Sequence, residues 1–273
     1  MNTKRLIEQT LIALAVVGVI FISAQTRAAE KEHALPIQVS PYTGRPPVTP
    51  QTIAEGKEIY DGACVYCHGR SGEGKGPVAY FLSRDTAPHP RDFTSGVFKF
   101  RSTPSGELPL DEDLFRTVTD GIAGFMPNFV GLTPSDRWKV VYFIKTYYPE
   151  FKDAKPEAIK VAGGPVPFTA ASVQHGYEVF QQFKCWECHG GNGLGNGHKA
   201  PDLKDDWGFP LPPANLTRPS SFKNGDQPAD IFRTIMTGLD GGAMASYADS
   251  FAGRERDAWD LVNFILSLSQ ERR

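Results

Sequence analysis

The segment CVYCHGRSGEGKGP at residues 64–77 has a near copy, CWECHGGNGLGNGHKAP, at residues 185–201. Each places two cysteines around two intervening residues, a histidine directly after the second, and then a glycine-rich loop that runs to a proline. Cys64, Cys67, Cys185 and Cys188 are all the cysteines in the chain. The fold must therefore present the same short turn twice, with backbone free to close tightly around whatever the turn holds, because glycine admits positive φ and close approach.

Three chemistries use a Cys-x-x-Cys pair. Zinc ribbons join two pairs separated by about 15–20 residues, whereas Cys67 and Cys185 lie 118 positions apart. A thioredoxin-like redox pair accounts for the cysteines but not for His68 and His189, nor for two copies set in glycine loops. Covalent haem attachment accounts for all of it. Both thiols add to the vinyl groups on one porphyrin edge, and the adjacent imidazole reaches the iron beneath the ring centre.

The rest of the chain repeats in the same register. Cys64 and Cys185, Trp138 and Trp259, and Phe143 and Phe264 are each 121 residues apart. PRDFT at 90–94 answers PANLT at 213–217, and LFRTVTDGIAGFMP at 114–127 answers IFRTIMTGLDGGAMA at 231–245. A duplicated unit of about a hundred residues fits ordinary domain size. Within each unit a helix leads into Cys-x-x-Cys-His, at 49–63 and 169–183, the first with Thr and Pro at its start. A second helix closes the unit at 133–148 and 253–269, with apolar positions at helical spacing. So few helices bury little surface, and a porphyrin supplies the missing core. Tyr60, Phe180, Trp138 and Trp259 are expected to pack on the porphyrin or on one another.

The order of helix, CxxCH, glycine loop, proline, long methionine-bearing loop and closing helix resembles the class I cytochrome c domain, here in tandem. The resemblance covers about residues 49–148 and 168–273. It implies a mainly α fold, two domains of a few helices and long loops, each around one covalent c-type haem bound through Cys64, Cys67 and His68 or through Cys185, Cys188 and His189. It further implies a methionine on the far side of each iron. Met126 in GIAGFMPNF and Met244 in GLDGGAMASY stand at matched positions before their closing helices and are the expected ligands, while Met236 is read as core packing. Pro77 and Pro201 are expected to offer a backbone carbonyl to the ligand imidazole. Arg116 and Arg233, matched in FRT, are candidates to pair with haem propionates, with a helix-surface role as the alternative. His89 and His198 lie in loops near the motifs and are alternative sixth ligands, whereas His33 and His175 are assigned no role.

At the amino terminus Lys4 and Arg5 precede the apolar run Leu11 to Ala24, 14 residues, which is short of the roughly 20 needed to span a bilayer. Residues 1–29 are read as a cleaved export signal, with an uncleaved anchor as the alternative, and membrane contact is expected only through such an anchor. The body then follows as 30–48, an extended segment; 49–148, the first domain; 149–167, a Pro- and Gly-bearing linker; and 168–273, the second domain. A net charge of −2 gives no basic footprint for nucleic acid. The acidic run at 111–115 reads as a helix start, and the insert at 98–113 has no role legible in the sequence. The expected function is periplasmic relay of single electrons between redox protein donors and acceptors, without substrate chemistry. The alternatives are a di-haem peroxidase-type enzyme with one iron that opens, and the haem subunit of a larger membrane or periplasmic oxidoreductase complex. A thiosulfate-oxidising di-haem enzyme needs a further cysteine for iron, and none is left over.

Overall fold

A computed structural model describes residues 33–34, 44–82 and 89–270 of the chain. The segment read as an export signal, 1–29, lies outside the described residues. Both repeats belong to one compact unit, Glu32–Arg273.

The first repeat opens with α1, Pro50–Ala63. Thr49 caps it: its hydroxyl accepts from Thr52 N at 3.1 Å, and Thr52 Oγ1 accepts from Thr49 N at 2.9 Å. This reciprocal pair, with proline at the first helical position, sets where the helix starts. The chain runs on through α2, Val65–His68, a glycine loop and α3, Ala79–Leu82, to α4, Asp111–Asp120, and α5, Pro134–Lys145. The second repeat supplies α6, Ala170–Gln182, α7, Trp186–His189, α8, Pro228–Thr237, α9, Ala248–Phe251, and α10, Glu255–Gln270. The mainly α expectation holds. The described strands are β1, His33–Ala34, and β2, Lys160–Val161, paired antiparallel.

Leading and closing helices cross at a glycine in both repeats. A Cβ on Gly56 would lie 2.0 Å from Lys139 O, and one on Gly176 would lie 2.0 Å from Asp260 O. Only a residue without a side chain lets the backbones come so close. Polar groups then tie the crossing, with opposite signs in the two copies. Lys139 on α5 pairs with Glu55 at 2.9 Å, whereas Asp260 on α10 meets His175 Nδ1 at 2.8 Å and the Ser172 hydroxyl. His175, given no role from sequence, thus fixes the α6–α10 crossing.

Below each crossing lies an apolar core. Trp138 sits with ring centroids 4.3 Å from Phe115, and Trp259 stacks on Phe232 at 4.0 Å and 11°. Both tryptophans pack on core aromatics. Tyr60 is fully buried and its hydroxyl donates to Gly69 O at 2.7 Å, which ties α1 to the glycine loop. Met236 is 1% exposed, in the second core.

The copies differ by one residue just before the second motif. Gly56 and Gly176 are 120 apart, but the cysteines are 121 apart. The extra position is Lys184, which takes φ 54°. Accordingly Cys64 N bonds Tyr60 O four residues back at 2.8 Å, while Cys185 N bonds Phe180 O five back at 3.1 Å. The wider turn absorbs the insertion and leaves the motif itself unchanged.

The insert and the linker hold the repeats together. Arg101 is fully buried, and its Nη2 donates to Thr237 O and Asp240 Oδ1, both at 2.7 Å. Ser105 Oγ and Gly106 N also donate to the Asp240 carboxylate, at 2.7 and 2.8 Å. Ile159 N bonds Ser102 O at 2.9 Å. Phe151, at one end of the linker, is buried in the first core, and Val161, at the other, in the second. The segment at 98–113 is therefore an interdomain clasp, and 149–167 is a strap laid along both units.

Candidate functional site

Each repeat opens an apolar cleft beside its CxxCH turn. The first is walled by Phe93, Phe98, Leu114, Val118 and Ile144, with Cys64, Cys67, His68 and Met126 also on its surface. The second is walled by Phe180, Leu216, Ile231 and Ile265, with Cys185, Cys188, His189 and Met244. Clefts so lined are unfavourable in contact with water and suit a large, flat, apolar group.

The motif turns are built alike. In the first, Gly69, Gly72 and Gly74 have φ of 79°, 74° and 72°; in the second, Gly190, Gly193 and Gly195 have 77°, 69° and 76°. The loop folds back so tightly that a Cβ on Gly76 would lie 2.3 Å from Tyr66 O, and one on Gly197 would lie 2.2 Å from Glu187 O. Burial raises the thiols, Cys64 to about 12 and Cys185 to about 11. That is the reverse of the low-pKa nucleophile a redox CxxC requires. The two pairs line separate clefts, and among the described residues no group of three or more His, Cys, Asp or Glu could hold a metal ion. The zinc and thioredoxin readings both fail on these grounds.

His68 stacks on Phe93 at 4.5 Å and 17°. Its Nδ1–H donates to Arg91 O at 3.0 Å, and His189 Nδ1–H donates to Ala214 O at 3.0 Å. Such a bond fixes the ring and its tautomer, leaving Nε2 with its lone pair. Burial lowers both imidazoles, His68 to about 4, so each is held neutral, the form that ligates metal. The acceptors differ from the expectation. Pro77 and Pro201 are exposed, because the glycine loop turns them to its outer side. The carbonyl comes instead from the residue after Pro90 and Pro213, in the repeated PRDFT and PANLT segments. That repeat was visible in the sequence, but nothing local said that a residue 23 positions after His68 returns beneath its ring.

Arg116 and Arg233 also depart from expectation, since neither lines a cleft. Arg116 donates Nη1 to Asn224 O at 3.0 Å and Nη2 to Asn224 Oδ1, across the repeat boundary, and lies 3.8 Å from Asp230. Arg233 pairs with Asp230. Duplication places the two arginines at matched positions on α4 and α8, but Arg116 bonds across the repeat boundary, whereas Arg233 pairs within its own helix.

Met126 and Met244 reach their clefts through matched turns. Gly121 ends α4 with φ 69°, and a Cβ there would lie 2.4 Å from Met126 O; Gly238 ends α8 with φ 67°. Ile122 N bonds Met126 O at 2.8 Å, and Leu239 N bonds Met244 O at 2.9 Å. Each helix thereby turns its chain straight back toward the cleft. His89 also lines the first cleft, its Nε2 is buried without a hydrogen-bond partner, and its ring lies 3.8 Å from Phe209. His198 packs against Trp186 and is not on the second cleft.

Comparison with protein families matches residues 51–144 and again 171–265 to a family described as cytochrome c oxidase, cbb3-type, subunit III. No curated protein matches. Among solved structures, a chain of the Kuenenia stuttgartiensis reducing HAO-like protein complex Kustc0457/Kustc0458 is 34% identical. It superposes with a TM-score of 0.72 over 86% of this chain and 99% of that one. The two matched segments are tandem cytochrome c domains and imply two covalently bound c-type haems.

Proposed function

This chain belongs to the cytochrome c oxidase, cbb3-type, subunit III family, and we propose that it relays single electrons through two His/Met-ligated haems within an exported oxidoreductase assembly. When bound, each haem supplies a one-electron iron couple. The polypeptide does the rest. Cys64 with Cys67, and Cys185 with Cys188, would hold each haem covalently. His68 and His189 present neutral imidazoles oriented by the Arg91 and Ala214 carbonyls. The apolar walls exclude water, which limits solvent reorganisation as charge changes. Met126 and Met244 would each offer a thioether to the iron, a donor that raises the potential above that of a bis-His site.

The observation that carries this reading is the placement of one matched methionine in each histidine-bearing cleft. Membership of a larger assembly is favoured by the similar Kuenenia stuttgartiensis chain, which is part of a protein complex. Among the described residues no helix is long and apolar enough to cross a membrane, so the proposed periplasmic setting rests on the amino-terminal sequence. The test is the weak near-infrared Met-to-iron band in oxidised protein. Met126→Ala and Met244→Ala should each remove about half of it. A wild-type chain without the band would overturn His/Met ligation and point to His89 or an open iron.

A further inference from the structure

A group of cations lies between the two clefts that neither the helical frame nor the axial ligands employ. Lys99 and Phe100 line both clefts, Arg91 lines the first and Lys223 the second. Lys99 is 8% exposed. The side chains reach across the repeat boundary in both directions. A Cβ on Gly241 would meet Arg91 Nη1 at 3.1 Å, and one on Gly242 would meet Lys99 Nζ at 3.4 Å, so both cations lie against the loop that carries Met244. In return, Lys223 Nζ sits 4.8 Å over the ring of Phe125, the neighbour of Met126.

Within the polypeptide Arg91 lies 4.8 Å over the ring of Trp207, and Lys223 lies over Phe125. Among the described residues no carboxylate stands within ion-pair distance of Arg91, Lys99 or Lys223. Arg91 Nη1 is buried without a hydrogen-bond partner. Of the nearby carboxylates, Asp205 accepts from the amides of Trp207 and Phe209, Asp92 accepts from Thr94, Asp240 is taken by the clasp, and Asp206 is exposed to solvent. Burial lowers Lys99 to about 8, with the like charges of Arg91 and Lys223 adding to the effect. Lys99 is buried and Arg91 and Lys223 are half-buried, and cations removed from water in this way are costly unless an anion joins them.

We propose that Lys99, Arg91 and Lys223 form one shared cradle for haem propionates, with Lys99 common to both clefts. The assignment rests on the di-haem reading and replaces Arg116 and Arg233 in the role first expected of them. A cation placed there stabilises the reduced form of each haem, because reduction lowers the net charge of the centre. It also couples the two centres, since one side chain answers to both.

The test is a spectroelectrochemical titration of the haem-loaded protein, with haem content measured by mass. Lys99→Gln should keep two haems and lower both midpoint potentials, each by about 59 mV for a tenfold loss in the reduction equilibrium. Lys99→Arg should restore both, which a purely structural role for the lysine would not produce. Lys223→Gln should lower chiefly one potential, and the same charge change at exposed Lys152 should move neither. Unchanged potentials in Lys99→Gln, or a shift confined to one haem, would overturn the shared cradle. If Lys99→Gln fails to load haem, unchanged potentials in Lys223→Gln would overturn it equally. A wild-type chain carrying fewer than two haems would instead sink the di-haem reading, and the mass measurement reveals that before any variant is made.

Discussion

Removal of Asp240 should cost far more than removal of the arginine it faces. The Arg101 side chain is 0% exposed and Asp240 18%. In Asp240→Ala the guanidinium loses its carboxylate and keeps only carbonyl partners, Thr237 O at 2.7 Å, Pro104 O at 3.1 Å and Phe98 O at 3.4 Å. Breaking a buried pair so that a charge is stranded costs about 3–5 kcal/mol. The amide of Gly106 and the hydroxyl of Ser105 lose their acceptor as well, though they stand in water-exposed positions and add little. In Arg101→Met the buried charge goes, an apolar chain of similar length fills its place, and Asp240 keeps Ser105, Gly106 and partial solvation; about 1–2 kcal/mol is expected. Urea unfolding of the haem-loaded protein, followed by Soret absorbance and far-UV circular dichroism, separates the two. With a slope of about 2 kcal/mol/M, the midpoint should fall by roughly 1.5–2.5 M in Asp240→Ala and by less than about 1 M in Arg101→Met. Equal losses in the two variants would refute the reasoning, because they would mean that the stranded charge carries no special penalty. So would two separate transitions in the wild type, which would show that the clasp does not join the repeats into one cooperative unit.

Two further perturbations act on the helix crossings. Gly56→Ala and Gly176→Ala would each press a methyl group to within 2.0 Å of a carbonyl oxygen of the closing helix. Since backbone rather than a flexible side chain must move, a loss of about 3 kcal/mol or more is expected in thermal unfolding. Lys139→Met should abolish a pH-dependent share of stability. Its hydrogen bonds hold Glu55 below the usual carboxylate range and help the Thr133 hydroxyl to do the same for Asp136. Depressed carboxylates contribute stability that is present above their unfolded pKa of about 4 and is lost as pH falls through the folded values. Wild type and variant should therefore differ at pH 7 and converge once the pH has fallen below the folded pKa of both carboxylates. A constant gap across that range would show that the lysine acts through packing.

The motif, the register of the duplication and the helices that bracket each cleft could be read directly from residues, because each depends on local spacing. Thr49 followed by Pro50 marks a helix start wherever it occurs, and CxxCH fixes three groups within one turn. Arg116 and Pro77 were misread for a different reason. Their positions within a repeat were right, but the partner of each lies on a segment whose approach is set by loops. The Arg91 carbonyl returns beneath His68 only after the chain has passed Pro77, and Arg116 meets Asn224 only because the second repeat packs against the first.

Composition and spacing alone determined that this polypeptide makes the same haem-binding turn twice and frames each with two helices, since those are short-range consequences of backbone freedom and periodicity. Tertiary packing decided which carbonyl orients each imidazole, that the insert at 98–113 clasps the second repeat through Asp240, and that Lys99 stands between both clefts. These are contacts among residues up to 139 positions apart. Their selection depends on burial and on the pairing of desolvated charge, and neither quantity exists until the two repeats have come together.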